Sequence, residues 1–327
     1  MSRNDMAGRL EGHDIEEYTQ IVNPWDVILR QTSAGRFHGR LDYVHVNGIV
    51  IYRECWSQRV LASGATPPDY FMFGATLVPE KHTDWCGQPL GPEILAFGNS
   101  GTETEFATPK DSIHAVLLVP DHLMRSYFGE ETVEAALASQ WHHLGGIGQG
   151  PSQLILTINH IIGKYLARPE RLADAREVQT TETQLLAAVA RIFPQVTAET
   201  RRPGPRPRRE ALHRAIGICE QLKRPVTVPE LAALADASRR TLERAFQETL
   251  GISPRKYLRR RLMQASRHEL MDEDPRSTRV TDVATRWGFS ELGRFAVDYK
   301  RQFGESPSYT LKKRGHTTPR RLIDIIS

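Results

Sequence analysis

The chain has 327 residues and a formal net charge of +4 at neutral pH. This length leaves room for two domains, each with its own hydrophobic core. The sequence contains no apolar run of the roughly 18 residues that a membrane-spanning helix needs, and its first residues lack the apolar stretch of a signal peptide. The sequence therefore excludes a membrane-spanning helix and predicts a cytoplasmic protein.

The charge is distributed unevenly. Residues 201–327 hold 28 Lys and Arg against 15 Asp and Glu, a net charge of +13, whereas residues 1–200 hold 15 against 24, a net charge of −9. A basic region is suited to contacts with nucleic-acid phosphates, and an acidic region is not. We therefore expect an acidic domain over residues 1–200 and a basic one after it.

Short runs that favour β-strands occur over residues 21–120. They read LDYVHVNGIVIYREC, DYFMFGATLV, PEILAFGNSG and AVLLVP, and each is bounded by turn residues. The pattern predicts an antiparallel β domain of barrel or sandwich type. Its aromatic residues are candidates for a pocket lining, although such side chains more commonly form core. These residues are Trp25, Trp56, Tyr70, Phe71 and Trp85.

Helices are predicted over residues 121–195, at 121–128, 131–141, 152–167 and 181–193. The last two have broad apolar stripes, which predict packing on their own domain and, as a second expectation, a homodimer contact. The glycine-rich stretch 145–150 is expected to be a flexible connection, because a phosphate loop would need a strand before it.

Residues with catalytic or metal-binding chemistry are sparse in this half. The histidines lack the H-x-H spacing and following Glu of a metal-binding β-barrel enzyme, so no metal, cofactor or catalytic residue is predicted. Cys55, Cys86 and Cys219 lack C-x-x-C spacing and are expected to be reduced thiols. The histidines considered are His38, His45, His82, His114, His122, His142 and His143.

A linker is predicted at residues 201–210, where Pro and Gly alternate with Arg. A helix-turn-helix is predicted over 229–250. Thr227 and Glu230 form a T-x-x-E capping box at its start, Asp236 accepts a left-handed turn, and Ser238 is suited to cap the second helix.

The second helix of this motif has two faces. Leu242, Ala245, Phe246 and Leu250 share one stripe and are expected to be buried. The opposite face carries groups that read base edges, because Arg bonds guanine, Gln bonds adenine and Glu accepts from cytosine. The alternative is a solvated charged face. The predicted DNA contacts are Arg239, Arg240, Thr241, Glu243, Arg244 and Gln247.

A connecting helix is predicted from Pro254 to about Leu270, with Leu258, Leu262 and Ala265 on its buried stripe. Its first half is strongly basic, and Arg259 is the predicted phosphate contact. Such a helix can separate two groove-binding helices by about one DNA turn, roughly 34 Å. The basic residues are Arg255, Lys256, Arg259, Arg260 and Arg261.

The motif is then repeated over residues 280–303. Val228, Ala232 and Ser238 recur 52 positions later, and one extra residue follows Ser290. Gly288 takes the place of Asp236, and Ser290 is expected to cap the second helix. Phe295, Tyr299 and Phe303 are expected inside. The outer face is largely apolar and is expected to contribute position and backbone contact. The predicted contacts here are Ser290, Glu291, Leu292, Gly293, Arg294, Ala296, Val297 and Lys300.

Residues 211–314 resemble the DNA-binding domain of the AraC/XylS family of bacterial transcription regulators. The family signature is GFS, an aromatic pair and FG-x-SP, and it stands here at residues 288–290, Phe295, Tyr299 and 303–307. Base-reading places of the family fall on Arg240, Glu243, Arg244, Leu292, Gly293, Ala296 and Val297. Val297 stands where members usually have Arg, which favours base reading by the first motif.

The resemblance implies an α+β protein with a cupin-like β domain, which senses a small molecule and dimerises, and an all-α DNA-binding domain. Residues 315–327 form a tail. The expected partners are double-stranded DNA, RNA polymerase, a small-molecule effector and a second copy, with no membrane. We predict a sequence-specific transcription regulator and activator that is not an enzyme. Two alternatives stay open: a metal-dependent cupin-type enzyme with a DNA-binding appendage, and a non-specific architectural DNA binder.

Overall fold

The computed structural model describes residues 5–22, 27–77, 83–86, 88–90, 94–138, 143–145, 150–193, 207–222 and 224–312. These residues fall into two compact units. The first contains residues 5–31 and 37–193 within the described ranges. The second contains residues 32–36 and 207–312.

The strands of the first unit form two antiparallel sheets. The larger sheet has the order β1-β3-β4-β11-β6-β9-β12, and the smaller has the order β2-β5-β10-β7-β8. The predicted antiparallel β domain is thereby confirmed. The strands are β1 Met6–Gly12, β2 Val27–Gln31, β3 Gly39–Val46, β4 Ile49–Trp56, β5 Val60–Ala65, β6 Tyr70–Thr76, β7 Thr83–Trp85, β8 Gln88–Leu90, β9 Ile94–Gly98, β10 Glu103–Ala107, β11 Ser112–Pro120 and β12 His143–Gly145.

Two strands lie outside the range in which strands are predicted. β1 pairs with β3 along seven residues although its sequence, MAGRLEG, has little apolar alternation. β12 pairs with β9 and falls within the stretch expected to be helix and connection. Both lie at the edges of the larger sheet, so backbone pairing rather than side-chain pattern identifies them.

Alternate residues of the larger sheet enter different hydrophobic cores. On β11, Val116 and Leu118 belong to a core that also takes side chains from the smaller sheet. Leu117 and Val119 belong to a second core, formed with the helices. The run AVLLVP is apolar throughout because successive side chains of a strand point to opposite faces and both faces are covered.

The helices of the first unit confirm the predicted helical stretches with shifted ends. The last begins at Ala175 rather than at 181, because the Asp174 side chain accepts a hydrogen bond from the Arg176 N–H and caps it. Their apolar stripes lie in their own core. The helices are α1 Ile15–Ile21, α2 Asp121–Phe128, α3 Glu130–Ala138, α4 Gly150–Ala167 and α5 Ala175–Ala190, with a 3-10 helix at Pro169–Ala173.

The second unit is helical. Its first helix starts at Pro207, inside the predicted linker, because proline is tolerated in a first helical turn where its missing N–H has no partner to lose. None of the helices that the structure describes is long and apolar enough to cross a membrane. The helices are α6 Pro207–Gln221, α7 Val228–Leu234, α8 Arg239–Leu250, α9 Pro254–Asp272, α10 Val280–Arg286, α11 Leu292–Phe303 and α12 Pro307–Lys312.

The approach of α1 to β3 depends on Gly39. A Cβ at this position would overlap the ring of Tyr18, which is fully buried. We expect Gly39→Ala to lower the free energy of unfolding by about 1–3 kcal/mol through overpacking. The matched control is Gly163→Ala on α4, where an added Cβ meets no atom within 4 Å. This change should stabilise by about 0.5–1 kcal/mol. Denaturant unfolding of both variants checks the pair, and equal effects would contradict it.

Candidate nucleic-acid interface and internal cavity

The first helix-turn-helix forms as predicted. The Thr227 hydroxyl accepts a hydrogen bond from the Glu230 N–H at 3.3 Å, and the Glu230 carboxylate accepts one from the Thr227 N–H at 3.4 Å. Asp236 takes the left-handed conformation, with φ of 46°. The Ser238 hydroxyl then caps α8 by accepting from the Thr241 N–H at 3.0 Å. These contacts fix where the second helix starts and therefore which side chains point outward.

The two faces of α8 are separated as predicted. Its inner face is buried through Leu242, Ala245, Phe246 and Leu250. Its outer face is exposed and carries Arg240, Glu243, Arg244 and Gln247.

The outward-facing side chains of α8 differ in whether they have a partner within the protein. Glu243 pairs with Arg239 across an exposed 3.0 Å contact, and the Thr241 hydroxyl lies 2.8 Å from that of Ser238. Among the described residues, no carboxylate pairs with Arg240 or Arg244. These two guanidiniums therefore keep all their N–H donors for a partner.

The second motif follows the first with one correction. Gly288 makes the turn with φ of 80°, and the buried set Phe295, Tyr299 and Phe303 is as predicted. Ser290 is not the cap of α11. Its N-cap position is Glu291, and no side chain caps this helix. The extra residue of the second copy moves the helix start one position beyond the place equivalent to Arg239.

The outer face of α11 is apolar at its centre. Val297 is 66% exposed and Leu292 is 38% exposed. Gly293 and Ala296 lie between them and are also exposed. The other predicted contacts on this side are exposed and polar, and Arg294 lies 3.5 Å from Glu291. They are Ser290, Glu291, Arg294 and Lys300.

The buried stripe of α9 differs from the predicted one. Leu258 is buried, but Leu262 and Ala265 are only half-buried. The buried face shifts along the helix because α9 contacts α8 near its start and α10 and α12 further along. Its buried residues are Pro254, Tyr257, Leu258, Met263, Ser266, Arg267 and Leu270.

Arg259 has a role that the sequence does not predict. It donates to Asp298 of α11 at 2.6 Å, and its guanidinium lies over the Phe289 ring at 5.7 Å. Arg301 binds the same carboxylate at 2.6 Å. Arg259 thus ties α9 to α11, while 43% of its side chain stays exposed. Its predicted phosphate contact stays a prediction.

A second ion pair, in which the arginine is buried, holds the end of α9 to the segment after α11. Arg267 is 3% exposed, binds Glu305 at 2.6 Å and lies over the Phe303 ring at 4.8 Å. Thr310 donates to Glu305 at 2.7 Å and accepts from the Tyr299 hydroxyl at 2.9 Å. One sequence feature could have indicated this pair. Arg267 follows Met263 by four residues, so the two share a face of a helix that was expected to be buried on one side.

The first unit contains a cavity of about 60 Å³ between its two sheets. Its wall is largely apolar and includes aromatic rings, with Phe106 stacked on Trp56 at 5.7 Å and tilted against Trp85 at 5.5 Å. Of the aromatic candidates, Trp56 and Trp85 line it. Phe71 lies instead in the core beside the helices, and Tyr70 is not part of the lining. Trp25 lies outside the described residues.

Two titratable side chains line this cavity from neighbouring strands. Glu54 on β4 and His114 on β11 are directly opposite in the register, so their side chains share a face. The Tyr18 hydroxyl donates to Glu54 at 3.0 Å. Burial raises the pKa of the Glu54 carboxyl to about 7 and lowers the pKa of the His114 imidazole to about 4. Near neutral pH, His114 is therefore uncharged and Glu54 is partly protonated.

Polar atoms without partners belong to the same wall. Within the described residues, His114 Nε2, Trp85 Nε1 and Thr83 Oγ1 are buried and accept or donate no hydrogen bond. No Lys or Arg is among the lining residues. The wall therefore combines apolar surface with a few uncharged hydrogen-bonding groups. Glu54 was missed by the sequence reasoning, although an acid between Tyr52 and Trp56 on an inward-facing strand stripe was the available signal.

Metal binding finds no support in this part of the chain. In the ranges that the structure describes, no group of three or more His, Cys, Asp or Glu is placed to hold an ion. His82 and His142 lie outside those ranges, and so do the residues of the connection at 146–149 and the tail at 315–327.

Comparison with known proteins identifies the domain type of the second unit. A family described as a helix-turn-helix domain matches residues 231–313. The "Probable thc operon regulatory protein" of Rhodococcus erythropolis is 36% identical over 153 residues, 46% of this chain and 46% of that protein. The "XylDLEGF operon transcriptional activator 1" of Pseudomonas putida is 40% identical over 97 residues, 30% of this chain and 29% of that protein.

A solved structure described as a probable AraC family transcriptional regulator from Rhodopseudomonas palustris CGA009 is 39% identical. The match covers 32% of this chain and 98% of that one, with a TM-score of 0.29. The second unit therefore contains a DNA-binding domain of the AraC/XylS type. The chain spans less than half the length of the two curated relatives, and both alignments are short relative to this chain. Helices α7 to α12 thus form an AraC/XylS domain, and the outer faces of α8 and α11 are its candidate DNA-binding surfaces.

The ion pair of Arg267 should hold the second motif of the AraC/XylS domain together. We expect Arg267→Ala to lower the free energy of unfolding of the second unit by about 3–5 kcal/mol, because it leaves Glu305 without its buried partner. Arg255→Ala, at an exposed position of the same helix, should change it by less than about 0.5 kcal/mol. Denaturant unfolding followed by circular dichroism measures both, and matching losses in the two variants would contradict the role of the pair.

The contributions of Glu54 and His114 to the free energy of unfolding should depend on pH in opposite directions. The folded pKa of Glu54 is raised, so its stabilising contribution is present below pH 4.5 and lost as pH rises to about 7. The folded pKa of His114 is lowered, so its contribution is present above pH 6.5 and lost as pH falls to about 4. Between these limits the two effects offset each other in the unaltered protein.

Single variants separate them. Glu54→Gln should leave a stability that rises relative to the unaltered protein as pH increases from 4.5 to 7, and His114→Gln should leave one that falls as pH increases from 4 to 6.5. Thermal unfolding of both variants across this range is the measurement. Difference curves whose slopes against pH have the same sign would show that the two side chains are not buried as uncharged groups.

Proposed function

We propose that this chain is a sequence-specific DNA-binding transcription regulator. The observation that carries the proposal is the outer face of α8, where Arg240 and Arg244 are exposed and no carboxylate of the described chain pairs with them. Their spacing of four residues puts both on one side of the helix. A guanidinium in the major groove donates two hydrogen bonds to the O6 and N7 of guanine, which is the commonest specific contact to a base.

The surroundings of this face support DNA as the partner. Residues 201–327 have a net charge of +13, which favours phosphate binding by counterion release. Glu243 is engaged with Arg239, so we propose that it orients that arginine when it does not accept from cytosine. The second motif supplies a further surface on the same unit. We propose that residues 211–314 act together on one operator and that residues 201–206 link them to the first unit.

An effector is proposed for the cavity of the first unit. The mixed wall of aromatic rings, a carboxyl and an imidazole suits recognition of a small molecule. A ligand changes transcription only if it binds one arrangement of the protein better than another. We propose that cavity occupancy has this differential effect on DNA binding and on contact with RNA polymerase, and that the protein acts as an activator in the cytoplasm.

A homodimer is also proposed, with a different contact surface from the predicted stripes. The apolar residues of α4 and α5 are largely used by the core of the first unit. Leu156 of α4 is an exception at 60% exposure and offers a start for a contact between copies. Dimerisation would place two AraC/XylS domains on paired half-sites and would raise the affinity for a repeated operator.

Removal of the base-reading arginines tests the proposal. Arg240→Ala or Arg244→Ala should cost about 1–3 kcal/mol on the selected site, relax the base preference at one position and cost less on random DNA. The matched control is Arg255→Ala, which removes an exposed charge from the basic first half of α9 and should affect selected and random duplexes by the same factor. Titrations at several salt concentrations measure both kinds of complex.

Two outcomes would reject the proposed function. If Arg240→Ala weakened selected and random duplexes equally, the helix would contact phosphates rather than bases. If the unaltered chain bound all duplexes with one salt dependence, the non-specific architectural alternative would take its place. The enzyme alternative has no support from the relatives, which are named as regulators of operons.

A further inference from the structure

The outer face of α11 is apolar where that of α8 is charged. Val297 is 66% exposed and Leu292 is 38% exposed, and both belong to the small set of large apolar side chains that the described chain leaves open to solvent. Ala296 and Gly293 complete the face and are also exposed. Adjacent exposed apolar side chains on one helix face indicate a binding surface rather than scattered surface residues.

The charge around this face is mostly positive, and the exposed Glu291 at the N-cap lies 3.5 Å from Arg294. The acidic residue within α11, Asp298, has a side chain only 11% exposed and is held by Arg259 and Arg301 at 2.6 Å each. The exposed charged side chains of the helix are cationic: Arg294, Lys300 and Arg301. An apolar centre with a cationic margin is complementary to a groove whose floor carries apolar groups and whose walls are phosphates.

We propose that α11 reads the C5-methyl groups of pyrimidines in the major groove, with Val297 and Leu292 packed against them. The inference rests on the proposed function, since it assigns a base chemistry to the second motif. Thymine is the standard base with an apolar group on its major-groove edge, and apolar side chains are its matching partners. The same group is present on 5-methylcytosine, so the surface selects the methyl group rather than the base that carries it.

Local geometry supports a close approach. An added Cβ at Gly293 would meet no protein atom within 4 Å, so the backbone is open on the side that faces outward. Ala296 is the next small residue on that face, one turn along. A helix with small residues beside Val297 can approach the base edges closely enough for a methyl contact. Contacts to methyl groups would give this motif base preference without hydrogen bonds to base edges.

Uracil substitution tests the proposal on the full chain. Duplexes recovered by selection from a random-sequence library are resynthesised with each thymine in turn replaced by uracil, which removes the methyl group and keeps every hydrogen-bonding group. We expect affinity to fall about fourfold at each contacted position, the value of burying one methyl-sized group. Replacing that thymine–adenine pair by 5-methylcytosine–guanine should cost less than replacing it by cytosine–guanine.

Protein variants assign the effect to α11. In Val297→Ala the uracil penalty should fall towards onefold at its contacted position. The matched control is Arg240→Ala on the first motif, which should weaken binding overall and leave the uracil penalty unchanged.

Each outcome decides one claim. Specific binding without any uracil penalty overturns the methyl-reading proposal and leaves the proposed function intact. Loss of transcription activation in Val297→Ala, with DNA affinity and uracil penalty unchanged, also overturns it, because the face would then bind a protein. Failure to enrich any sequence rejects the proposed function itself.

Discussion

The packing of α9 determines what the AraC/XylS domain can present to DNA. This helix contacts α8, α10 and α12, and Arg259 ties it to α11. Because the inner faces of α8 and α11 are buried, the helical period of 3.6 residues places the remaining side chains of each on an outer face. The choice of outward residues then separates the motifs: guanidiniums on α8 and branched aliphatic side chains on α11.

The ion pairs of α9 make this arrangement specific rather than merely compact. Asp298 binds both Arg259 and Arg301, so the acidic group within α11 is neutralised on its inner side, while the exposed Glu291 at the N-cap lies beside Arg294. Arg267 and Glu305 neutralise each other near the end of the domain, where a lone buried charge would be costly. Structural ion pairs and DNA-binding cations thus share one helix but face different partners.

Local chemistry made much of this predictable from sequence. The capping box at Thr227, the left-handed turn at Asp236 and the stripe from Leu242 depend on neighbours a few residues away, and all three are confirmed. Predictions that depended on tertiary packing were less reliable. Ser290 fails as a cap because one inserted residue displaces the start of α11. Leu262 and Ala265 are less buried than expected because α9 changes packing partners along its length.

The cavity depends even more on contacts between distant parts of the chain, which the sequence does not reveal. Aromatic residues at Trp56 and Trp85 made a pocket conceivable, but the pairing of Glu54 with His114 depends on a strand register between residues 60 positions apart. No local pattern specifies that register, and without it neither side chain could be assigned to a common wall. The two buried groups also show why isolated histidines and acids in the sequence gave no indication of a site.

The central claim is that the two motifs recognise DNA by different chemistry. Selection of binding sites from a random-sequence library by the full chain tests it most directly. The account predicts an operator with one segment that requires guanine at fixed positions, from Arg240 and Arg244, and a second segment that requires thymine. Two segments with the same base requirements, or guanine requirements in both, would contradict it.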